Sequence, residues 1–188
     1  MIARDVVTRW LVSAMLVLTV IGCTSSQPSV EPPPGAPPPS NQAGPLPADC
    51  PSKITDADRA STALAQVQPG GVVCLSGDGL AAAELSVTTS GTAAAPIMIL
   101  ADGAAMRGVS VKADYVIVAG LALRDGSGLK MAGRGLVARN NVIYNATKDG
   151  LACTGCTDTI IESNTVQRAD GTGIYIEGER VTVRNNTV

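Results

Sequence analysis

Three turns in the second half of the chain each set a cation beside a carboxylate: Arg124-Asp125, Lys148-Asp149 and Arg168-Ala169-Asp170. Carboxylates held near one another repel, which raises a pKa toward the range useful for acid–base work or makes a seat for Ca2+. Lys148, Asp149 and Asp170 are therefore the candidate acid–base groups, and Asp125, Asp149 and Asp170 the candidate Ca2+ ligands. Lys130 and Arg168 are candidates to meet an acidic group on a substrate, and Tyr175 offers a flat apolar ring. The 188 residues include no His, which excludes a Ser-His-Asp triad, a Cys-His pair and any His-ligated metal. Turn chemistry is the competing account of the same charges: Asp closes a bend through its side chain, Gly supplies positive φ, and alternating charges keep loops solvated. The formal net charge is −2, with no dense basic patch, so a nucleic-acid partner is excluded.

The elements that carry these turns repeat. Gly128-Leu-Lys-Met-Ala-Gly133, Gly150-Leu-Ala-Cys-Thr-Gly155 and Gly173-Ile-Tyr-Ile-Glu-Gly178 start 22 and 23 residues apart. Leu136–Ile143, Thr159–Val166 and Val181–Val188 follow them at 23 and 22, and Val116–Leu123 is an earlier, weaker copy. A period near 22, built of short alternating strands broken by Gly and Asn, specifies a parallel solenoid with three strands per coil. Stacking then places Leu129, Leu151 and Ile174 in one interior column and Met131, Cys153 and Ile176 in another. Ala138, Ile161 and Val183 form a column on the second strand, and Ile143, Val166 and Val188 one on the third. Lys130, Ala152 and Tyr175 face outward on the first strand, with Ala132, Thr154 and Glu177 beyond them. Asn141, Asn164 and Asn186 fall at one matching position between the second and third strands. There an Asn tolerates a left-handed backbone, and stacked amides can bond into a ladder. Leu121 holds that place in the first copy.

Upstream, Ala57, Ala60, Leu64 and Val67 define one face of a helix over Asp56–Gln68, capped by Thr55 or Asp56 and stopped by Pro69-Gly70-Gly71. Such a helix covers the open end of a solenoid core. Four cysteines, Cys50, Cys74, Cys153 and Cys156, make an even number and read as disulfides in an exported chain. Cys50 with Cys74 would staple the start of the domain, and Cys153 with Cys156 would close a tight turn. A redox pair or half a zinc site is the alternative for the second pair.

Residues 1–22 carry Arg4, Arg9 and an apolar run from Trp10 to Ile21, too short to span a bilayer and suited to a secretory signal. The run ends in Val20-Ile21-Gly22-Cys23, which resembles the bacterial lipobox and implies lipidation at Cys23. Residues 23–47, with Pro32-Pro33-Pro34 and Pro37-Pro38-Pro39, have too little apolar surface to fold and form a semi-rigid spacer. The expectation is an exported protein tethered to the cell membrane or outer membrane, facing the periplasm or the cell surface. Residues 48–108 then hold the cap helix and first coils, and residues 109–188 the regular coils.

Ser90-Gly91-Thr92, followed by Ala95-Pro96-Ile97, together with the preceding helix, Pro-Gly turn and strand, resembles the opening of β-helix polysaccharide lyases of the pectate-lyase-like superfamily. The resemblance covers about Asp56 to Leu100. It implies an all-β, right-handed single-stranded parallel β-helix with a polysaccharide partner. Chondroitinase-B-like and alginate lyases of this group carry a carboxylate pair for calcium, a Lys base shortly after it and an Arg one coil later. The coil at Gly150 reads Leu-Ala-Cys-Thr-Gly-Cys instead, so that machinery is absent from these coils. Two functions follow. One is the N-terminal part of a polysaccharide lyase or hydrolase, whose cations neutralise a uronate. The other is a non-catalytic surface lipoprotein that binds glycan or another envelope component. The sequence stops within a coil, which implies a fragment of a longer protein, or self-association through the open end.

Overall fold

The computed structural model describes Cys50 and residues 52–188. The expected signal peptide, Cys23 and the Pro-rich segment lie outside the described residues. Among the described residues, no helix is long and apolar enough to cross a membrane.

The chain enters through β1 (Lys53–Ile54) and forms a single α-helix, α1 (Ala57–Gln66). Asp56, of the two candidate caps, starts the helix: its carboxylate accepts the Arg59 N–H at 2.9 Å, satisfying one of the orphan donors of the first turn. The helix ends two residues earlier than the expected Gln68. Val67 is already extended, with ψ 136°, one residue ahead of Gln68, which the ring of Pro69 bars from helical backbone. Ala60 and Leu64 are buried against the end of the core.

The rest is coil upon coil. The strands are β2 (Val72–Ser76), β3 (Glu84–Val87), β4 (Ile97–Asp102), β5 (Ala105–Lys112), β6 (Val116–Ala119), β7 (Ala122–Ala132) and β8 (Val137–Arg139), followed by β9 (Val142–Tyr144), β10 (Leu151–Thr157), β11 (Ile160–Glu162), β12 (Thr165–Gln167), β13 (Ile174–Glu179) and β14 (Thr182–Arg184). All strand pairings between them are parallel. They make three faces. The first runs β3, the second half of β5, the second half of β7, β10 and β13. The second is a seven-stranded sheet in the order β1-β2-β4-β6-β8-β11-β14. The third pairs the first residues of β5 and β7 with β9 and β12. Because β5 and β7 each turn a corner without a break, one strand serves two faces. The architecture is the expected three-strand coil.

The interior columns form as the period dictates. Leu129, Leu151 and Ile174 are in register, as are Met131, Cys153 and Ile176, and Ala138, Ile161 and Val183. The core they build is continuous with the helix cap. In the last coil Ile176, Val183 and Val188 are exposed, with a coil on one side only. The strands open on Gly128, Gly150 and Gly173 for a steric reason: a Cβ on Gly150 would overlap the Val166 side chain and the Gly173 carbonyl.

The amides of Asn141, Asn164 and Asn186 stack along the axis. Asn141 Nδ2 donates to Asn164 Oδ1 at 2.9 Å, and Asn164 Nδ2 to Asn186 Oδ1 at 3.0 Å. Each Oδ1 also accepts a backbone N–H from the coil before it, those of Leu121, Asn141 and Asn164. Each Nδ2 donates to a carbonyl of that coil, at Val118, Ala138 and Ile161. The left-handed backbone, expected at these residues, lies one position earlier, at Gly120, Asn140, Ser163 and Asn185. The ladder Asn must turn its side chain inward to stack, so the residue before it takes the bend. The other two corners use the same device: Tyr115, Gly135, Asp158 and Arg180 at one, Asp125, Asn145 and Arg168 at the other.

Asn164 sits at the middle of this chain, and both Asn141 and the Ala138 carbonyl would lose partners without it. Buried polar groups left unmet cost about 1–3 kcal/mol each. Asn164→Ala should therefore lower unfolding stability in urea by about 3 kcal/mol, whereas Asn140→Ala, at the exposed bend, should cost about 1 kcal/mol. Equal losses would mean that the amide ladder does not hold the corner.

Candidate functional site

The first face carries the outward residues singled out by spacing. Ser86, Ser110, Lys130, Ala152 and Tyr175 form one row across β3, β5, β7, β10 and β13. Lys112 and Ala132 are in register in a second row, and Thr154 and Glu177 continue it. Lys130 and Tyr175 are two strands apart, about 10 Å, with only the Ala152 methyl between them. The row is thus a shallow trough with a cation at one point and a 41% exposed aromatic ring at another.

An irregularity borders it. The register shifts between Thr154 and Cys156, so that Gly155, at φ +67°, is extruded toward solvent. Cys153 and Cys156 close this extra residue with a disulfide, Cα to Cα 5.7 Å, and both are buried. Sulfur in the core thus fixes a bulge on the surface. The second disulfide joins Cys50 to Cys74, Cα to Cα 5.6 Å.

The loops between the third and first faces hold the remaining candidates. Asp125, expected to join Asp149 and Asp170 in a Ca2+ seat, accepts the Asn145 side-chain amide at 2.6 Å. Asp149 accepts the Thr172 N–H at 2.8 Å. Asp170 is exposed, and only its backbone N–H, bonded to the Ala146 carbonyl, is engaged. Among the described residues no group of three acidic or cysteine side chains is placed to hold a metal ion. The expected column of carboxylates does not form, because Asp125 occupies a corner and Asp149 lies inside a loop. These residues do not fit the calcium of the resembled lyases. Lys148 is exposed beside Asp149 without an ion pair to it. Arg168 lies over the Tyr144 ring, 5.4 Å from its centroid, within cation–π range.

Sequence reasoning passed over Arg107 and Lys112. Both are on β5, in a coil whose spacing to the next is 20 residues, Gly108 to Gly128, and to the previous one 24, Glu84 to Gly108. Spacings of 24 and 20 set this coil off the period of 22 to 23 that the later coils keep. The alternation Gly108-Val-Ser-Val-Lys112 was the available signal. Arg107, Arg124 and Asp125 line one cavity of about 420 Å³ with Ala81, Ala82, Ala105 and Met106.

Residues 74–188 match the family described as the right handed beta helix region. The chain belongs to that family. The match fixes the hand of the coil and covers both the trough and the Asn ladder. No curated protein matches the β-helix chain. Among solved structures, the crystal structure of alginate lyase from Paenibacillus sp. str. FPU-7 is similar at 18% identity, covering 71% of this chain and 74% of that one, with a TM-score of 0.46.

Charges divide unevenly around the β-helix. Toward the second face, cations are paired with carboxylates: Arg184 with Glu162 at 2.7 Å, Arg180 and Arg134 with Asp158, and Lys53 with Asp102. The hydrogen bond from Arg180 holds the Asp158 carboxyl below its ordinary 3.8, and Lys53 does the same for Asp102. On the first face and its loops, Arg107, Lys112, Arg124, Lys130 and Lys148 have no ion-pair partner among the described residues.

The negative charge of Glu177 raises the Tyr175 phenol above 10.0, helped by the hydrogen bond that the phenol donates to Glu177 Oε2 at 3.3 Å. Tyr175 is therefore protonated at neutral pH, a ring and a donor rather than a base. Glu177→Gln removes both causes. Its Tyr175 resonance, followed with carbon-labelled tyrosine, should titrate at lower pH than in the parent. An unchanged midpoint would show that Glu177 does not govern the phenol.

Proposed function

We propose that this protein is an exported, lipid-anchored β-helix protein that binds an acidic polysaccharide along the trough of its first face. The observation that carries this reading is the set of cations without carboxylate partners on the first face and its bordering loops, Lys112, Lys130 and Lys148 with Arg107 and Arg124 at the corner, on the face that also exposes the ring of Tyr175. A cation already paired with a carboxylate gains little from a second anion, whereas a solvated one is available to a uronate or sulfate group. An aromatic ring lying open on a sheet suits the apolar face of a sugar. A polymer of repeating units matches a surface that repeats every 4.8 Å or so along the same axis.

The proposal is of binding rather than chemistry. Asp149 is engaged in capping a loop, where it accepts the Thr172 N–H, and Tyr175 is protonated. Export and anchoring rest on the sequence of residues 1–47: a secretory leader, Cys23 in a lipobox-like setting, and a proline-rich spacer.

Affinity electrophoresis in gels containing alginate, pectate or a glycosaminoglycan should retard the protein, with neutral glucan as control. Lys130→Ala and Tyr175→Ala should each weaken retardation several-fold, while Arg184→Ala, which breaks a paired cation, should not. Equal mobility in every gel would remove the proposal. For the anchor, a palmitate analogue fed to producing cells should label the parent protein and leave Cys23→Ser unlabelled; equal labelling of both would rule out lipidation at Cys23.

A further inference from the structure

The corner between the third and first faces lengthens abruptly from one coil to the next. Met106 pairs with Leu123 before it and Gly108 with Gly128 after it. In between, β5 has Arg107 alone, where β7 has Arg124-Asp125-Gly126-Ser127. At this step lies the cavity of about 420 Å³ that Arg107, Arg124 and Asp125 line. It borders the edge at which β3 and the first-face halves of β5 and β7 begin, ahead of Ser86, Ser110 and Lys130. The cavity is thus separate from the row that forms the trough.

The longer corner is held firmly against the shorter one. Gly126 permits the approach, because a Cβ there would overlap the Arg107 carbonyl and the Arg107 Cβ. The following coil braces the other side. The Asn145 side-chain amide donates to Asp125 Oδ1 at 2.6 Å. The Thr147 N–H and hydroxyl both donate to the Gly126 carbonyl, at 2.9 and 3.2 Å. Side chains on such a corner need little ordering when a ligand arrives.

The lining has two characters. Ala81, Ala82 and Ala105 supply methyl groups, with Met106 buried beside them. Arg107 and Arg124 are exposed cations on adjacent coils, and neither has an ion pair among the described residues. Two guanidiniums and one carboxylate leave a single positive charge, which a monoanion balances. The guanidinium fork matches the two oxygens of a carboxylate. Methyl groups suit the C–H face of a sugar ring, and Asp125 is an acceptor for a hydroxyl. A volume of this size falls among pockets that take small ligands.

We propose that this cavity is a subsite for one uronic acid unit, its carboxylate held between Arg107 and Arg124 and a ring hydroxyl donating to Asp125. The inference rests on the acidic-glycan reading and adds to it a second place of contact. The full chain, labelled with nitrogen-15, is titrated with digalacturonate while the arginine Nε–H resonances are followed. Arg107→Gln and Arg124→Gln identify the two signals by their loss. In the parent, both signals should move together with one midpoint, while that of Arg184, paired with Glu162, stays in place. Digalacturonate methyl ester, which lacks the charge, should move neither. Each Gln variant should weaken the midpoint of the remaining signal several-fold, whereas Arg184→Ala should leave both signals and their midpoint as in the parent. If neither signal moves although polyuronate gels retard the parent, the subsite is overturned and the trough reading stands. If inorganic sulfate moves both signals as strongly as digalacturonate, the cavity takes any small oxyanion and the sugar subsite is overturned. Absence of both shift and retardation removes the two readings together.

Discussion

The parallel main-chain ladder between successive coils is the constraint from which the rest of this molecule follows. A coil of this length encloses too little to bury its own apolar residues, so its inward side chains gain only by lying on those of the next. Parallel pairing in unbroken register makes that possible, setting Leu129 under Leu151 and Leu151 under Ile174. The Asn141, Asn164 and Asn186 amides extend the same pairing into the corner, where strand hydrogen bonds would otherwise lapse. The buried amides of Asn141 and Asn164 each give to a side chain and a carbonyl and receive from an N–H, as a buried amide must to avoid the cost of an unmet group.

With the inside fixed by stacking, the three faces differ on their outsides. The first presents Ser, Lys, Ala and Tyr in a row, open to solvent and bordered by loops. The second presents Val72 and Met98, partly exposed, and Ile117, Val137 and Ile160, nearly buried. Ion pairs follow the same division, concentrated near the second face and absent from the trough among the described residues. Two disulfides mark the boundary positions: one holds a bulge at the rim of the trough, the other ties the incoming chain to the apolar strip.

Much of this was legible in the sequence because the repeat is close to constant from Gly128 onward. Strand positions, inward columns and the Asn column all follow from counting. Other features were not legible for particular reasons. Gly120, Asn140, Ser163 and Asn185 take the left-handed bend instead of the Asn that follows, and composition at the two positions is too similar to separate them. Val116-Ile-Val-Ala119 is apolar on both sides, so alternation could not reveal that one set faces outward. Arg107 and Lys112 sit in a coil displaced from the period. The turn carboxylates looked like a column because they recur, yet Asp125 and Asp149 occupy different places in their loops and bond to amides.

The extruded Gly155 also bears on how such a chain can change over evolutionary time. An added residue inside a strand would turn every following side chain to the opposite surface, whereas here the addition is extruded as a bulge within β10, after which pairing with β13 resumes one residue out, Cys156 opposite Gly178. A strand is thus editable by one letter only where a bulge takes up the extra residue. Descendants of this sequence should drift in loop length freely but lengthen or shorten in discrete steps of one winding.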